Sequence, residues 1–465
     1  MESVYRYIEE NQATYIEMLK EFCRQESVST QNRGLKETAK MLQDYLQSIN
    51  MKTEIIETTG HPIVYGESFQ EGLKTLSFYN HYDVQPEDPI DLWESDPFGA
   101  EVRDGKLYAR GSADNKGALM ARICAIHAYQ EIFKKLPVNV KFIVEGEEES
   151  GSPHIDEFIE KYPDKISADL CIWENGIVNN DGSFELKLGT KGMLYVELVA
   201  RGANSDLHSS NGAIIENPAW RLIWALNTLK NENEEILIDG FYDKVFEPTD
   251  EEVKVIQELK FDEEETLSEL GLDQFVANLK GINLKDKLFY KPTCTICGFN
   301  SGYTGEGTKT VLPSEARVKV DFRLVPDQDP EEIAMLLRKH LDSHGFNDIE
   351  IIIPESGSKA ARTDLSLPVV KSVIRAMEKL HGIPPNIIPM SPGSGPMYKL
   401  CHQFGIPTMG FGVGNPYSNK HAPNENINLQ DFIEGIKMVA TVIHELGSMN
   451  NDTISKTKVI HQKQS

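Results

Sequence analysis

Cysteine is scarce in this chain, with six residues in 465, at positions 23, 124, 171, 294, 297 and 401. That is too few for a disulfide framework and fits a reducing compartment. The single CxxC, Cys294-Thr-Ile-Cys297, has no second pair to complete a zinc ribbon. It reads as two buried thiols on opposite faces of a strand, because their spacing is odd. Long apolar runs are missing as well: no stretch approaches the roughly 18 residues that a membrane-spanning helix needs. The opening segment, MESVYRYIEENQATYIEMLKEF, is charged throughout and lacks the apolar core of a secretory signal, so a cytoplasmic location is expected. Positive charge is in deficit, 47 Lys and Arg against 72 Asp and Glu, for a net charge of −25. Such a chain repels phosphate backbones and anionic bilayers, which argues against nucleic acid and membrane as partners. No internal repeat is found. A composition of 40% apolar and 26% charged residues supports a large buried core. The length fits two or three domains.

Tyr5, Ile8, Tyr15, Met18, Leu19 and Phe22 recur near the helical period, and Ala39, Leu42, Tyr45 and Leu46 do so within a second helix over about 36–49. Strands follow at 52–58, 73–84, 138–149 and 169–176, with a helix over 115–134. The last three strands are apolar first and then break into polar, acidic or glycine residues. Strands of that kind alternating with helices predict a mainly parallel α/β sheet. Near 190 the grammar changes. An amphipathic strand at 193–202, a helix at 218–230, two strands within 308–326, a Pro-opened helix at 330–345 and a strand at 349–355 follow the split βαβ order. Residues 190–355 are therefore read as a second domain inserted between 1–189 and 356–465. A mixed, very acidic segment lies at 231–290; its residues 231–270 hold 15 acids against three bases, about half of the whole surplus. Residues 450–465 read as a frayed tail.

Metal-dependent hydrolysis needs histidine and carboxylate ligands together with a free carboxylate as base. The sequence offers these where parallel strands end, the edge at which open α/β sheets bind ligands. His81-Tyr82-Asp83 places an imidazole and a carboxylate on one face of extended chain, where the acid can orient a metal-bound imidazole. Asp114 sits in a glycine-flanked turn that opens a helix. Glu147, Glu148 and Glu149 crowd the end of an apolar strand, where their repulsion calls for a cation or a retained proton. Glu174 follows the apolar DLCIW, and His421 lies in KHAPNE. Each piece alone is commonplace; the joint order is not.

Taken together, FYNHYDV, YARGSADNKG, VEGEEESGS, CIWENG, DLHSS, FRLVPDQDP and NKHAPNENI resemble the dinuclear zinc metallopeptidase family of aminoacylase, acetylornithine deacetylase, succinyl-diaminopimelate desuccinylase, glutamate carboxypeptidase and carnosine-type dipeptidases. The resemblance runs from the first helix to about residue 446. It implies a mainly parallel α/β catalytic domain, with 190–355 as a ferredoxin-like lid through which a homodimer forms. It implies two Zn2+ per subunit, with Co2+ or Mn2+ equally suited to the donor set. His81 and Glu174 would hold one ion, His421 and Glu149 the other, and Asp114 would bridge them; the family often holds the peptide after this Asp in the cis form. Glu148 would be the general base, Glu147 a spare acid, and Asp83 the residue that orients His81. His208 would reach the partner subunit's site and steady the oxyanion. Arg323 would bind the substrate carboxylate, with Asn300 lining the same pocket. One stretch departs from the pattern: where carnosine-type members carry Arg-Glu-Gly-Gly-Ser-Ile-Pro, this chain has Met390 to Pro396, in which Gly393 and Ser394 still offer donors. Glu174, where dipeptidases more often have Asp, leans toward the deacylase and carboxypeptidase branches.

The reaction so implied is hydrolysis of amide bonds in small peptides or N-acyl amino acids by a hydroxide shared between two ions, with Glu148 moving the protons. A dipeptidase or carboxypeptidase-like enzyme is the main expectation and an N-acyl amino acid deacylase the alternative. A non-catalytic binding protein on the same fold would show a broken ligand set, whereas all five ligands and the base are present. A thiol enzyme using Cys294 and Cys297 lacks a neighbouring histidine.

Overall fold

The computed structural model describes residues 1–354 and 357–450. The expected boundary at 355/356 and the tail beyond residue 450 lie outside these. The chain divides into two compact units, one formed by Met1–Gly189, Arg362–Pro389 and the segment from Pro396 onward, the other by Thr190–Ala361 and Met390–Gly395. Among the described residues, no helix is long and apolar enough to cross a membrane.

The first unit is built on an eight-stranded mixed sheet. Its centre is four mutually parallel strands, Asn139–Glu145, Thr75–His81, Leu170–Trp173 and Thr408–Gly410. Each is short and almost wholly buried, as strands covered on both faces must be. Lys52–Ile56 and Ile63–Ser68 add an antiparallel flank on one side; Glu185–Lys187 and Asn386–Ile388 complete the other. Helix Gly117–Phe133 is apolar nearly all round and packs with the amphipathic helix Leu429–Ser448. The N-terminal periodicity expected as one helix is two, Glu2–Glu10 and Gln12–Arg24. Asn11 separates them, its backbone N–H at 3.1 Å and its side-chain amide at 2.8 Å both donating to the Tyr7 carbonyl.

Parallel pairing fixes the site. His81 lies opposite Glu145, and Phe78 opposite Ile172, so the carboxyl ends of three adjacent strands come level. The loops after Trp173 and Gly410 then pass so closely that a Cβ on Gly176 would meet the Gly412 nitrogen at 2.5 Å; only glycine fits there.

The second unit holds a four-stranded antiparallel sheet in the order Thr293–Ser301, Glu315–Leu324, Gly192–Arg201, Glu350–Ile352. Leu194, Val196 and Leu198 alternate inward and meet Val318, Val320 and Phe322. Helices Pro218–Leu229 and Pro330–Ser343 supply Leu222, Ala225, Leu337 and Leu341 to the same core. Both helices open on a proline behind a side-chain cap, from Asn217 and Asp329. The split βαβ order holds, but its second strand is Thr293–Ser301, not the first part of 308–326. Val311–Leu312 pairs instead with Leu207–His208 in a separate ribbon. Cys294 is buried and Cys297 exposed, so the pair are not both core thiols.

Candidate active site

His81 ends its strand fully buried. Its Nδ1 lies 3.0 Å from the Asp83 carbonyl oxygen and 3.5 Å from the Asp83 carboxylate. That carboxylate also accepts the backbone N–H of Glu148 at 3.2 Å and of Glu149 at 3.1 Å. Asp83 thus ties the His81 strand end to the turn that carries both glutamates. On its other side, His81 Nε2 is 3.1 Å from Asp114 Oδ1, 3.4 Å from Glu174 Oε2 and 4.0 Å from Glu148 Oε2. His421, on a loop with φ of 58°, directs Nε2 to Glu149 Oε2 at 3.1 Å and to Asp114 Oδ2 at 3.4 Å. The two oxygens of Asp114 therefore face different imidazoles. The Asp114–Asn115 peptide is cis.

Two donor groups emerge, His81 with Glu148 and Glu174, and His81 with Asp114 and Glu149, each within 4.8 Å. Of the three carboxylates facing His81 Nε2, that of Glu148 is the farthest. Glu147 turns away to His154, 2.8 Å from its Nδ1.

The charges conflict as they stand. Burial, reinforced by Glu149, Asp114 and Asp83 against the pull of His81, pushes the Glu148 carboxyl up to about 8. Burial and Glu148 drive Glu174 well above the ordinary carboxyl range. Burial alone would also raise Asp114, but the Lys420 charge and hydrogen bonds from His421 and His81 hold it well below normal. Hydrogen bonds to Asp114 and Glu149 lift His421 to about 10. Among the described residues, buried Glu174 Oε2 has no hydrogen-bond partner. Crowded acids held by protons, an orphaned oxygen, and a donor set of imidazole and carboxylate together fit divalent cations.

A layer beneath the cluster went unread in the sequence. Arg122, fully buried, donates to the carbonyls of Tyr79 at 2.8 Å, Trp173 at 2.6 Å and Glu174 at 3.1 Å, and to the Asn80 side chain. Asn80 donates to Asn115, Asn115 to Asn175 at 2.9 Å, and Asn175 to Asp114 Oδ1 at 2.8 Å. Glu425 accepts from the Asp114 loop as well. Asparagines beside a motif carry little sequence signal by themselves; Glu425, four residues beyond His421, was the visible clue.

The remaining residues lie in the second unit. Arg323 Nη1 donates to Ser394 Oγ at 2.8 Å, and Ser394 in turn to the Gly192 carbonyl at 3.1 Å. The Gly393 carbonyl accepts from Lys191 N at 3.0 Å. His208 is exposed, with Nδ1 at Ser210 Oγ (2.9 Å) and Nε2 at Thr310 Oγ1 (3.2 Å). Asn300 does not join Arg323. It pairs in register with Arg317, which at about 3.3 Å per residue leaves it roughly 20 Å along the sheet from Arg323.

An α/β sheet that gathers imidazoles and carboxylates at its parallel strand ends has the makings of a metal-dependent hydrolase. The profile of peptidase family M20/M25/M40 matches residues 77–445, and the chain belongs to that family. It is 28% identical to the human Beta-Ala-His dipeptidase over 97% of this chain and 93% of that protein. It is 30% identical to the Cys-Gly metallodipeptidase dug1 of Schizosaccharomyces pombe over 84% of this chain and 83% of that one. Among solved structures, it superposes on an M20 family metallo-carboxypeptidase from Sulfolobus solfataricus with a TM-score of 0.86 and 40% identity, covering 94% of this chain and 99% of that one.

Proposed function

We propose that this metallopeptidase holds two divalent cations, Zn2+ or else Co2+ or Mn2+, and cleaves small peptides, dipeptides foremost, that carry a free carboxylate. The observation that carries the reading is the division of Asp114, with Oδ1 toward His81 and Oδ2 toward His421. His81 and Glu174 would hold one ion and His421 and Glu149 the other, with Asp114 shared between them. When bound, the ions supply an acidified water and a polarised carbonyl. Glu148 takes the water proton and hands it to the departing amine, its Oε2 standing 4.0 Å from His81 Nε2 beside the donor set. Asp83 holds His81 and the glutamate turn. Arg323 grips the substrate carboxylate through a forked ion pair, with Ser394 and Gly393 beside it. The dipeptidases dug1 and Beta-Ala-His dipeptidase support the substrate class.

Glu148→Ala should abolish hydrolysis while metal content stays near that of the wild type; unchanged turnover removes Glu148 as the base. A panel of dipeptides, longer peptides, and N-acetyl and N-succinyl amino acids fixes the substrate. Preference for the acylated amino acids would instead favour the deacylase reading that Glu174 leaves open.

The second unit, 190–355 in the main, serves as the lid and pairs two subunits. Trp220, Ile223 and Trp224 are exposed on one helix, and Ile296 and Phe299 on the neighbouring edge strand, an apolar face that a second copy would cover. His208 of each subunit then serves the other's site as the oxyanion donor. Mixing His208→Ala and Glu148→Ala proteins should restore part of the activity; subunit exchange without complementation would count against it. Six unpaired cysteines fit a cytoplasmic enzyme. Recovery of the protein from the culture medium rather than the cell lysate would contradict that location.

A further inference from the structure

Among the described residues Glu425 forms no hydrogen bond to either imidazole, yet four donors converge on its carboxylate. It is buried, and each of its oxygens accepts two hydrogen bonds. Oε2 takes Arg110 Nη1 and Gly111 N, both at 2.8 Å; Oε1 takes Ala113 N and Asp114 N, both at 2.9 Å. The backbone around Asp114 is thus wrapped about an anion as a nest of N–H donors. The Glu425 carbonyl also accepts from Ala109 N at 3.0 Å. Its neighbour Asn424 is fixed at both ends of its amide, accepting from Glu94 N at 2.9 Å and donating to the Leu92 carbonyl at 3.0 Å.

His421 and Glu425 share one loop, and Asp114 is the residue whose two oxygens part between His81 and His421. We propose that Glu425 is a positioning residue for the metal centre. By clamping the backbone of the Asp114 loop to the His421 loop, it sets the distance between the bridging carboxylate and the second imidazole. This rests on the two-cation reading above. A glutamine at 425 would turn an NH2 group against one pair of donors, so at least two of the four bonds are lost. Supporting residues of this kind typically set metal affinity by about 10–100-fold.

The test is zinc titration of the intact chain against a fluorescent chelator, for wild type, Glu425→Gln and the double variant Arg110→Met/Glu425→Gln. The double variant removes both halves of the buried ion pair, so it answers the question even where the single variant fails to fold. The expected result is a native circular dichroism spectrum, a zinc Kd raised about 10–100-fold, and turnover restored by excess zinc with KM unchanged. Zinc affinity equal to the wild type's, or lost turnover that excess zinc does not restore, overturns the proposal. A wild-type chain that takes up no zinc overturns both readings, whereas wild-type uptake with an unaltered variant overturns only this one.

Discussion

Removing the cations should loosen the first unit by an amount that can be estimated. Without them, His81, His421, Asp114, Glu148, Glu149 and Glu174 stand within a few ångströms of one another, and Glu174 Oε2 has no hydrogen-bond partner among the described residues. An ion that binds only the folded state adds about 2.7 kcal/mol when present at 100 times its Kd. Two independent ions add about 5 kcal/mol. For a unit of this size, each kcal/mol moves Tm by about 2 °C, so chelation should lower Tm by roughly 10 °C. The assay is differential scanning calorimetry at neutral pH on the zinc-loaded protein, on the same protein after chelation and dialysis, and again after zinc is restored. The drop should reverse with zinc and not with Mg2+, which prefers all-oxygen sites and keeps its waters. A Tm that chelation leaves unchanged, in protein shown to have lost its metal, would refute the argument that the carboxylate cluster depends on cations.

Other perturbations probe other layers. Arg122→Met removes the charged donors that join the strand ends of Tyr79 and Trp173. With each bond to a charged group worth about 1.5–3 kcal/mol and some desolvation cost relieved, a net loss of about 3 kcal/mol is expected in urea unfolding; a loss below 1 kcal/mol would deny that role. Lys191 is buried in the second unit, and burial, with Lys287 and Arg323 nearby, pulls its amine down to about 8. A depressed lysine penalises the folded state fully below about 8, and the penalty disappears above its unfolded value of 10.5. Lys191→Met should therefore stabilise the protein at pH 7 by about 2 kcal/mol, after allowing about 1 kcal/mol for the lost bond to the Lys291 carbonyl. The gain should shrink as pH approaches 10.5, and a pH-independent difference would contradict the cause given.

The parts of the site legible in the sequence are those that strand ends impose. An apolar strand that stops at His81, Glu145 or Trp173 announces a sheet edge, and parallel register brings those edges level. The family resemblance then gave roles to residues that lie far apart in the chain. The rest of the site is held by side chains with weak local signatures. Arg122 looks like one polar residue in an apolar helix, and Asn80, Asn115 and Asn175 have meaning only once their amides meet. The sequence puts Cys294 and Cys297 on a strand but does not show that Thr293–Ser301 takes the second-strand place in the βαβ order, because its register shifts between Ile296 and Gly298 and Ile296 and Phe299 stay exposed, which erases the alternation that marks a half-buried strand. Asn300 sits at the far end of that strand, whose opposite end, Thr293, is the part that pairs with Arg323.

The central claim is that Asp114 joins two cation positions in one hydrolytic site. Zinc content and dipeptide hydrolysis, measured side by side on wild type and Asp114→Ala after gel filtration, test it most directly. The account predicts two equivalents of zinc per chain and active hydrolysis for the wild type, with both retained ions and turnover lost in the variant. A single equivalent in active wild type, or full zinc content and turnover in Asp114→Ala, would contradict it.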